Sequence, residues 1–331
     1  MNNLPRIDII IPAYNAHDTL QRTLGSIISQ DIVDDLDVLI VDDCSDKDYS
    51  ELVESFSKFV SIRQIRLEKN GGPGVARQKG IEASSNPLIT FIDADDSFSG
   101  AFALKTLRAQ MLSEPYVSAC FGSFLEENQE HTYINHPNDT VWMFGKLYSR
   151  DFINKYNIHF NETRANEDNG FNMMVKLCSN DYERIKFIPD IIYYWHMRLD
   201  SITRRDNCNY SYNDSFVGYT DNMIYSIKHA ERKAPFNGNV MRIKVQTLCN
   251  LYQYYIETVA RDPRYAEQNF NACVKYYKEV YREIKDKIEE NVLSEYYSDV
   301  MRNSFVGGKM VGIIPVMGIK EWLEELENKS K

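Results

Sequence analysis

The first hundred residues alternate short apolar runs with stretches whose apolar residues recur at helical spacing. Apolar runs over 7–11, 38–41, 62–67 and 88–92 predict buried strands. The stretches between them predict helices over 18–29, around 49–59 and over about 75–83, the first of them capped by Asp18. Because strands that alternate with helices form parallel sheets covered on both faces, the pattern indicates an α/β fold with a Rossmann-like, mostly parallel sheet.

Acidic and amide residues follow three of the predicted strands. Asn15 comes after the first strand, Asp42 and Asp43 come after the second, and the segment 93–96 comes after the fourth. Parallel strands present their carboxyl ends at one edge of a sheet, and ligands bind beyond that edge. We therefore expect these polar clusters to meet at one binding site.

Beyond about residue 210 the pattern changes to long helical periodicity. Helices are predicted over 240–260 and 265–290, so we expect an α/β domain over 1–209 and a helical domain over 210–331. An apolar, glycine-containing segment over 305–317 precedes Ile319, Trp322, Leu323 and Leu326 at helical spacing. This stripe predicts packing either on the chain's own core or against a second copy in a homo-oligomer, and the pattern leaves both open.

Composition narrows the class of protein. The chain has 331 residues, 43% of them hydrophobic, and a net charge of −10, which disfavours wrapping of nucleic acid but leaves room for a local basic groove. Its six cysteines form no CxxC pair and are expected to be reduced. No signal peptide is recognisable, and no apolar run reaches the about 18 residues of a membrane span. We expect a cytoplasmic protein without stable membrane insertion, which could still lie on a membrane surface.

The segment Asp93-Ala94-Asp95 is the sharpest chemical feature. A strand would deliver two carboxylates to the binding edge, where they could hold a divalent cation that bridges a diphosphate. The cation would neutralise charge on a nucleotide diphosphate leaving group. A solvated acidic loop that caps the next helix is the structural alternative.

Two further segments could contact a nucleotide. A carboxylate of Asp42 or Asp43 could accept the imide N–H of uracil or bind a ribose hydroxyl, and a capped turn is the alternative. The loop from Asn70 to Gly74 follows a strand and opens a helix, like a dinucleotide fingerprint, but Arg77 stands where that fingerprint needs its third glycine. The glycines would instead let the backbone approach a ligand while Arg77 reaches a diphosphate, the alternative for Arg77 being a surface salt bridge.

Together these segments resemble family 2 glycosyltransferases of the GT-A fold. The resembling pieces stand in the family's order: Ile9-Ile10-Ile11-Pro12-Ala13-Tyr14-Asn15, Val41-Asp42-Asp43-Cys44-Ser45, Asn70-Gly71-Gly72-Pro73-Gly74 with Ala76-Arg77, Phe91-Ile92-Asp93-Ala94-Asp95-Asp96, Trp142 with Lys146-Leu147-Tyr148, and Asn166-Glu167-Asp168. The resemblance covers about residues 5–205 and implies an inverting, nucleotide-sugar-dependent transferase. It also implies that the domain over 1–209 is a GT-A domain.

The resemblance implies a role for each matching residue. The expected donor-binding residues are Pro12, Tyr14, Asp42, Asp43, Asn70, Gly71, Arg77, Asp93, Ala94 and Arg198. Asp43 would hold the uracil of a UDP-sugar, and Asp95 and His196 would ligate Mn²⁺ or Mg²⁺. Asp168 would be the general base that deprotonates the hydroxyl acceptor, a role worth roughly 10²–10⁴-fold in rate. Acid enrichment at a helix N-terminus is the structural alternative for Glu167 and Asp168.

One departure affects two of these roles. Family members often have Arg, then His two residues later, ahead of a Ser-Ile pair, whereas here His196 precedes Arg198. Either side chain could lie over the diphosphate or complete the metal shell, and a packed core residue is the alternative for His196. The individual roles of the two therefore stay open.

Two other classes of protein compete with a glycosyltransferase. A nucleotidyltransferase would need a glycine-rich loop with a basic residue after the first strand, where this chain has Pro12-Ala13-Tyr14-Asn15. A binding scaffold without catalysis would not need Asp93, Asp95 and Asp168 together. The acceptor stays open among a bacterial-type surface glycan or other polymer, a lipid-linked sugar, a protein and modified nucleic acid.

Overall fold

The chain divides into two compact units. The computed structural model describes residues 4–163, 165–198, 213–235, 237–261, 263–287 and 319–331. The first unit lies within Met1–Glu162 and Phe171–Leu199, and the second lies within Thr163–Gly170 and Asp200–Lys331. The boundary expected at 209/210 falls outside the described residues. The periodicity did not predict that Thr163–Gly170 groups with the helical unit.

The first unit is built on a nine-stranded sheet, counted over the described residues. Its strands are β1 Ile7–Ala13, β2 Leu36–Asp42, β3 Ser61–Arg66, β4 Leu88–Phe91, β5 Ser97–Phe98, β6 Val117–Glu127, β7 Tyr133–His136, β8 Lys146–Ser149 and β9 Arg184–Trp195. Their spatial order is β3-β2-β1-β4-β8-β6-β9-β5, and β7 pairs with β6. The helices are α1 His17–Ile28, α2 Ser50–Phe56, α3 Pro73–Ala83, α4 Ala103–Leu112, α5 Arg150–Tyr156 and α6 Glu167–Cys178, the last of which begins in the second unit.

The predicted α/β fold is confirmed, and the sheet is mixed rather than uniformly parallel. Strands β3, β2, β1 and β4 are parallel, as the alternation of strands and helices predicts. Strand β8 runs antiparallel to both β4 and β6, whereas β6 and β9 are parallel. The hairpin of β6 and β7 is joined by a short turn rather than by a helix, so no crossover forces a parallel pair there.

The predicted cap of helix α1 is wrong. The helix begins at His17, its N-cap residue is Ala16, and no side chain caps it. Asp18 lies one residue inside the helix, in the first turn, where the helix dipole favours an acid without a capping hydrogen bond.

Helix α3 packs so closely on β1 that one glycine has no room for a side chain. A Cβ on Gly80 would come within 2.3 Å of Cγ2 of Ile10, a fully buried β-branched residue with little rotamer freedom. On helix α1, a Cβ on Gly25 would meet nothing within 4 Å. The two glycines therefore form a matched pair for testing this contact.

We predict that Gly80→Ala destabilises the protein by about 1–3 kcal/mol relative to Gly25→Ala, because overpacking displaces a rigid core residue. Gly25→Ala should be neutral or stabilising by up to about 1 kcal/mol, since alanine is the better helix former. Thermal unfolding of both variants measures the difference. An unfolding midpoint for Gly80→Ala equal to that of the Gly25 control would contradict the close contact.

The second unit is a helical bundle. Its helices are α7 Asn213–Lys233, α8 Asn239–Arg261, α9 Ala266–Tyr276 and α10 Ile319–Ser330. The predicted helix over 240–260 is confirmed, whereas the helix predicted over 265–290 is interrupted: α9 ends at Tyr276 and continues as a π-helical turn, Tyr277–Tyr281. Within the described residues, none of the helices is both long enough and apolar enough to cross a bilayer.

The apolar stripe near the end of the chain packs on the chain's own helices. Trp322 and Leu326 on α10 are fully buried, and the ring of Trp322 lies 5.2 Å from that of Tyr252 on α8. The segment 305–317, which was the other half of the predicted stripe, lies outside the described residues. Trp322 and Leu326 therefore pack within the chain, whereas Ile319 and Leu323 are half-buried, and a homo-oligomer stays a prediction.

Candidate active site

The predicted meeting of polar clusters at one sheet edge is observed. The parallel register places Ala13 of β1 beside Asp42 of β2, and Ile10 of β1 beside Phe91 of β4. The residues that follow these strands therefore emerge side by side. Pro12 is half-buried at the end of β1, and the next residue but one, Tyr14, is 53% exposed.

Asp43 ties three of these segments together. Its buried carboxylate accepts hydrogen bonds from the backbone N–H groups of Gly71 at 2.7 Å and Gly72 at 2.8 Å. Its own N–H donates to the carbonyl of Ala13 at 2.8 Å, and the amide of Asn70 donates to its carbonyl at 3.2 Å. Burial raises the pKa of Asp43, the two loop N–H groups lower it, and the charge of Asp42 adds to the rise. The turn and the glycine loop are thus held as one preorganised unit.

The loop needs its glycines for backbone reasons. Gly72 has a φ of +85°, which side chains disfavour, and it is the N-cap residue of helix α3. A Cβ on Gly71 would come within 2.8 Å of Val75. The backbone at this point is therefore free to approach a ligand closely.

Asp42 is enclosed by partners of its own. Its side chain is fully buried, accepts the N–H of Ser45 at 2.8 Å and pairs with Arg66 at 2.7 Å. Arg66, which sequence reasoning missed, is the last residue of β3 and stands directly opposite Asp42 in the parallel register. Arg66 could have been identified only from the register of β2 and β3, which pairs it with Asp42.

Asp93 and Asp95 lie close together at the end of β4, each beside an arginine. Arg77 pairs with Asp93 at 2.7 Å and Arg198 pairs with Asp95 at 3.2 Å. The side chains of the two acids are 29% and 28% exposed, whereas that of Arg77 is only 5% exposed. The sequence left a surface salt bridge as the alternative for Arg77. The salt bridge is present, but the arginine side chain is buried. Ala94, between the acids, is buried.

A third acid, Asp96, anchors this loop to β9. Its fully buried carboxylate accepts the hydroxyl of Tyr193 at 2.6 Å and the backbone N–H of His196 at 2.9 Å. The Tyr193 oxygen in turn accepts the N–H of Asp93 at 3.1 Å. Burial, followed by the charges of Asp95 and Asp93, raises the pKa of Asp96 well above its usual range. Sequence reasoning missed Tyr193, because nothing in its local context pairs it with an acid about a hundred residues away.

His196 lies beside this cluster with both ring nitrogens facing protein atoms. Nε2 is 2.8 Å from the hydroxyl of Ser97, and Nδ1 is 3.5 Å from a carboxylate oxygen of Glu127. Burial, followed by the charge of Arg22, lowers the pKa of His196. Hydrogen bonds, the strongest from His131, lower the pKa of Glu127 to about 2. Metal ligation by His196 stays a prediction.

The acid pair fits a divalent cation that is shared with a phosphate. Within the described residues no three His, Cys, Asp or Glu side chains are grouped as a metal site. Mg²⁺ is usually held by only one or two carboxylates together with substrate phosphates and water. Burial raises the pKa of Asp95, and the charge of Asp93 raises it further despite Arg198. The charge of Asp93 therefore disfavours the ionised form of Asp95, a cost that a bound cation would relieve, and carboxylate oxygens are ligands that Mn²⁺ and Mg²⁺ prefer.

Asp168 lies in the first turn of helix α6, in the part that belongs to the second unit. It is half-buried, and its carboxylate accepts the N–H of Asn169 at 2.7 Å. The preceding Asn166 has a φ of 60°, and its amide donates to the carbonyl of Ser215 at 2.9 Å. The predicted start of a helix at this acid pair is confirmed.

Comparison with known proteins matches one family to the part of the chain that holds most of these sequence pieces. The family described as Glycosyl transferase family 2 matches residues 8–166. The uncharacterized glycosyltransferase EpsJ of Bacillus subtilis (strain 168) is 24% identical over 60% of this chain and 63% of EpsJ. The poly(ribitol-phosphate) beta-N-acetylglucosaminyltransferase TarS of Staphylococcus aureus (strain MW2) is 26% identical over 57% of this chain and 35% of TarS. These matches span less than two thirds of each relative's length.

Solved structures share the architecture. S. aureus TarS 1-349 in complex with UDP-GlcNAc has a TM-score of 0.69 at 19% identity, covering 90% of this chain and 89% of that one. The mannosyltransferase PcManGT from Pyrobaculum calidifontis, in complex with GDP-Man and Mn²⁺, has a TM-score of 0.54 at 13% identity, covering 99% and 88%. At such low identities these likenesses show the fold alone. The family match shows that residues 8–166 of this chain belong to glycosyl transferase family 2, and the structural match shows that the chain has the GT-A fold of TarS.

Proposed function

We propose that this chain is an inverting glycosyltransferase that moves a sugar from a UDP-sugar to a hydroxyl acceptor with the help of a divalent cation. The observation that carries the proposal is the shared sheet edge, where the Asp43–glycine-loop unit stands beside the Asp93 and Asp95 pair. This edge offers a base-binding turn, a backbone that approaches phosphates and a hard-cation site in one place. The TarS structures with UDP-GlcNAc and with UDP support a uridine nucleotide.

In this proposal the donor is bound by residues of the first unit. The carboxylate of Asp43 has roughly four acceptor positions, and two of them accept N–H groups of the glycine loop. A remaining position accepts the imide N–H of uracil. Pro12 and the exposed ring of Tyr14 line the pocket for the base. Asp42 lies next to Asp43, and its salt bridge with Arg66 fixes its position. Asn70, Gly71 and Ala94 approach the donor through the backbone of their loops.

The acid cluster, formed by Asp93, Asp95 and Asp96, is proposed to act on the leaving group through a bound cation. Asp93 and Asp95 would hold Mn²⁺ or Mg²⁺, which when bound stabilises negative charge on the departing diphosphate. Arg77 and Arg198 orient the two carboxylates and add positive charge beside them. Asp168 removes the proton of the acceptor hydroxyl as its oxygen attacks the anomeric carbon, and this single displacement inverts the anomeric centre.

The acceptor is proposed to be a bacterial-type surface glycan or a related polymer, and the helical unit is proposed to bind it or to self-associate. The name of TarS, which specifies poly(ribitol-phosphate), supports a polymer acceptor. Protein and modified nucleic acid remain the alternatives. A nucleotidyltransferase is disfavoured because the glycine loop follows β3, the third strand along the chain, rather than β1.

The base preference of the donor site is directly testable. We expect calorimetric titration in the presence of Mn²⁺ to give UDP at least about tenfold tighter binding than GDP, because a purine presents a larger ring system and a different pattern of donors to the carboxylate of Asp43 than the imide N–H of uracil does. The GDP-Man complex of PcManGT makes guanosine a real competitor on this fold. Tighter binding of GDP would show that the turn at Asp43 does not hold a uracil.

A further inference from the structure

An open cavity of about 400 Å³ lies beside the acid cluster in the first unit. Its lining includes Arg22, Ser26, Phe98, Tyr133, Tyr194 and His196. These residues come from α1, β5, β7 and the end of β9, so the cavity exists only when the sheet is complete. The donor residues proposed above do not line it.

One end of the cavity is positively charged. Arg22 is exposed, and its guanidinium donates a hydrogen bond to the backbone carbonyl of Asp95. Among the described residues no carboxylate pairs with Arg22, unlike Arg77 and Arg198. A guanidinium has five N–H donors, so most of those of Arg22 remain for a ligand. This cation, in a chain of net charge −10, faces the same cavity as His196.

The rest of the cavity is aromatic. The ring of Tyr133 is 51% exposed and lies 5.8 Å from that of Tyr194, at an angle of 62°. The ring of Tyr194 lies 6.1 Å from that of His196, and Phe98, a buried residue, also lines the cavity. Tyrosine rings combine an apolar face with a hydroxyl, so they suit ligands that present both C–H and O–H groups.

We propose that this cavity is an acceptor subsite for the phosphate-bearing unit of an anionic polyol- or sugar-phosphate chain. Arg22 binds the phosphate, for which a planar guanidinium is well suited, and Tyr133 and Tyr194 pack on the carbon chain of the polyol or sugar. The inference rests on the proposed transferase function. It adds a chemical class of acceptor and assigns residues to its recognition.

Binding of small probes to the whole 331-residue chain tests this directly. Ribitol 5-phosphate, ribitol and inorganic phosphate are titrated in the presence of UDP and Mn²⁺. We expect ribitol 5-phosphate to bind at least about tenfold more tightly than either of the others. Arg22→Gln should weaken its binding about tenfold or more, because a charge-assisted hydrogen bond is lost.

The chain offers a matched control for this arginine. Arg63 on β3 is also exposed and also donates to a backbone carbonyl, that of Ala83. Arg63→Gln should leave binding of all three probes unchanged. Equal losses in both variants would show a general charge effect and overturn the subsite.

A second variant separates ligand binding from support of the Asp95 backbone. Tyr133 lines the cavity, and the contact with that carbonyl is made by Arg22. Tyr133→Ala should weaken the binding of ribitol and of ribitol 5-phosphate by a similar factor, without changing the affinity for UDP. If Arg22→Gln weakens UDP as much as ribitol 5-phosphate, Arg22 serves the donor and the proposal is overturned. It is also overturned if inorganic phosphate binds as tightly as ribitol 5-phosphate. If the chain hydrolyses no UDP-sugar but Arg22→Gln still abolishes binding of ribitol 5-phosphate, the subsite stands and the proposed function fails.

Discussion

Asp95→Ala should reduce sugar transfer by about a thousandfold or more while leaving the fold intact. A divalent cation contributes several kcal/mol of charge stabilisation, and each 1.36 kcal/mol is tenfold in rate. Asp95 is one of the two carboxylates that we propose hold that cation, and its side chain is partly exposed at the rim of the sheet rather than in the core. Its removal should therefore cost activity and little stability.

The metal itself gives the companion measurement. Transfer by the native chain should stop in excess chelator and return when Mn²⁺ or Mg²⁺ is added, whereas added metal should not restore Asp95→Ala. Asp31→Ala is the matched control, since Asp31 is also a partly exposed carboxylate paired with one cation, Lys105. Full turnover in chelator, with the metal content of the protein measured, would rule out the cation.

Asp168→Asn should lower turnover by at least about a hundredfold, with donor affinity nearly unchanged. Asparagine keeps the shape of the side chain and removes the basicity that the attack of the acceptor hydroxyl needs, a contribution of roughly 10²–10⁴-fold. Donor affinity should persist because the donor is proposed to be held by Asp43, Arg77 and the cation. Single-turnover transfer and UDP titration measure the two effects separately.

Helix α5 supplies the control for this variant. Asp151 is the second residue of α5, as Asp168 is the second residue of α6, so both acids lie in a first helical turn. Asp151→Asn should cost the same small helix-dipole stabilisation, about 0.3–1 kcal/mol, without loss of turnover. If Asp168→Asn transfers at a near-native rate, the base lies elsewhere, with Glu167 the first candidate. If donor binding collapses instead, Asp168 belongs to the donor site.

Much of the fold could be predicted because burial leaves a local pattern in the sequence. The apolar runs that predicted strands at 7–11 and 38–41 became β1 and β2, and the helical spacing near residue 20 became α1. Strands alternating with helices then implied parallel pairing and a shared carboxyl edge, so Asp43 and Asp95 could be expected to lie near one another. Each of these inferences depends on periodicity within a short window, which is where side-chain direction repeats.

The partners of the site residues were decided by the tertiary structure. Strand register and contacts between distant parts of the chain decide three of these pairings. They place Arg66 against Asp42, Arg77 against Asp93 and Tyr193 against Asp96. The antiparallel pairing of β8 and the cavity beside Arg22 depend on them as well. A hydrophobic pattern reports whether a position is buried but not which residue lies opposite it. The sequence therefore determined the fold class and the edge that carries the chemistry, whereas the arrangement of charges at that edge required the folded chain.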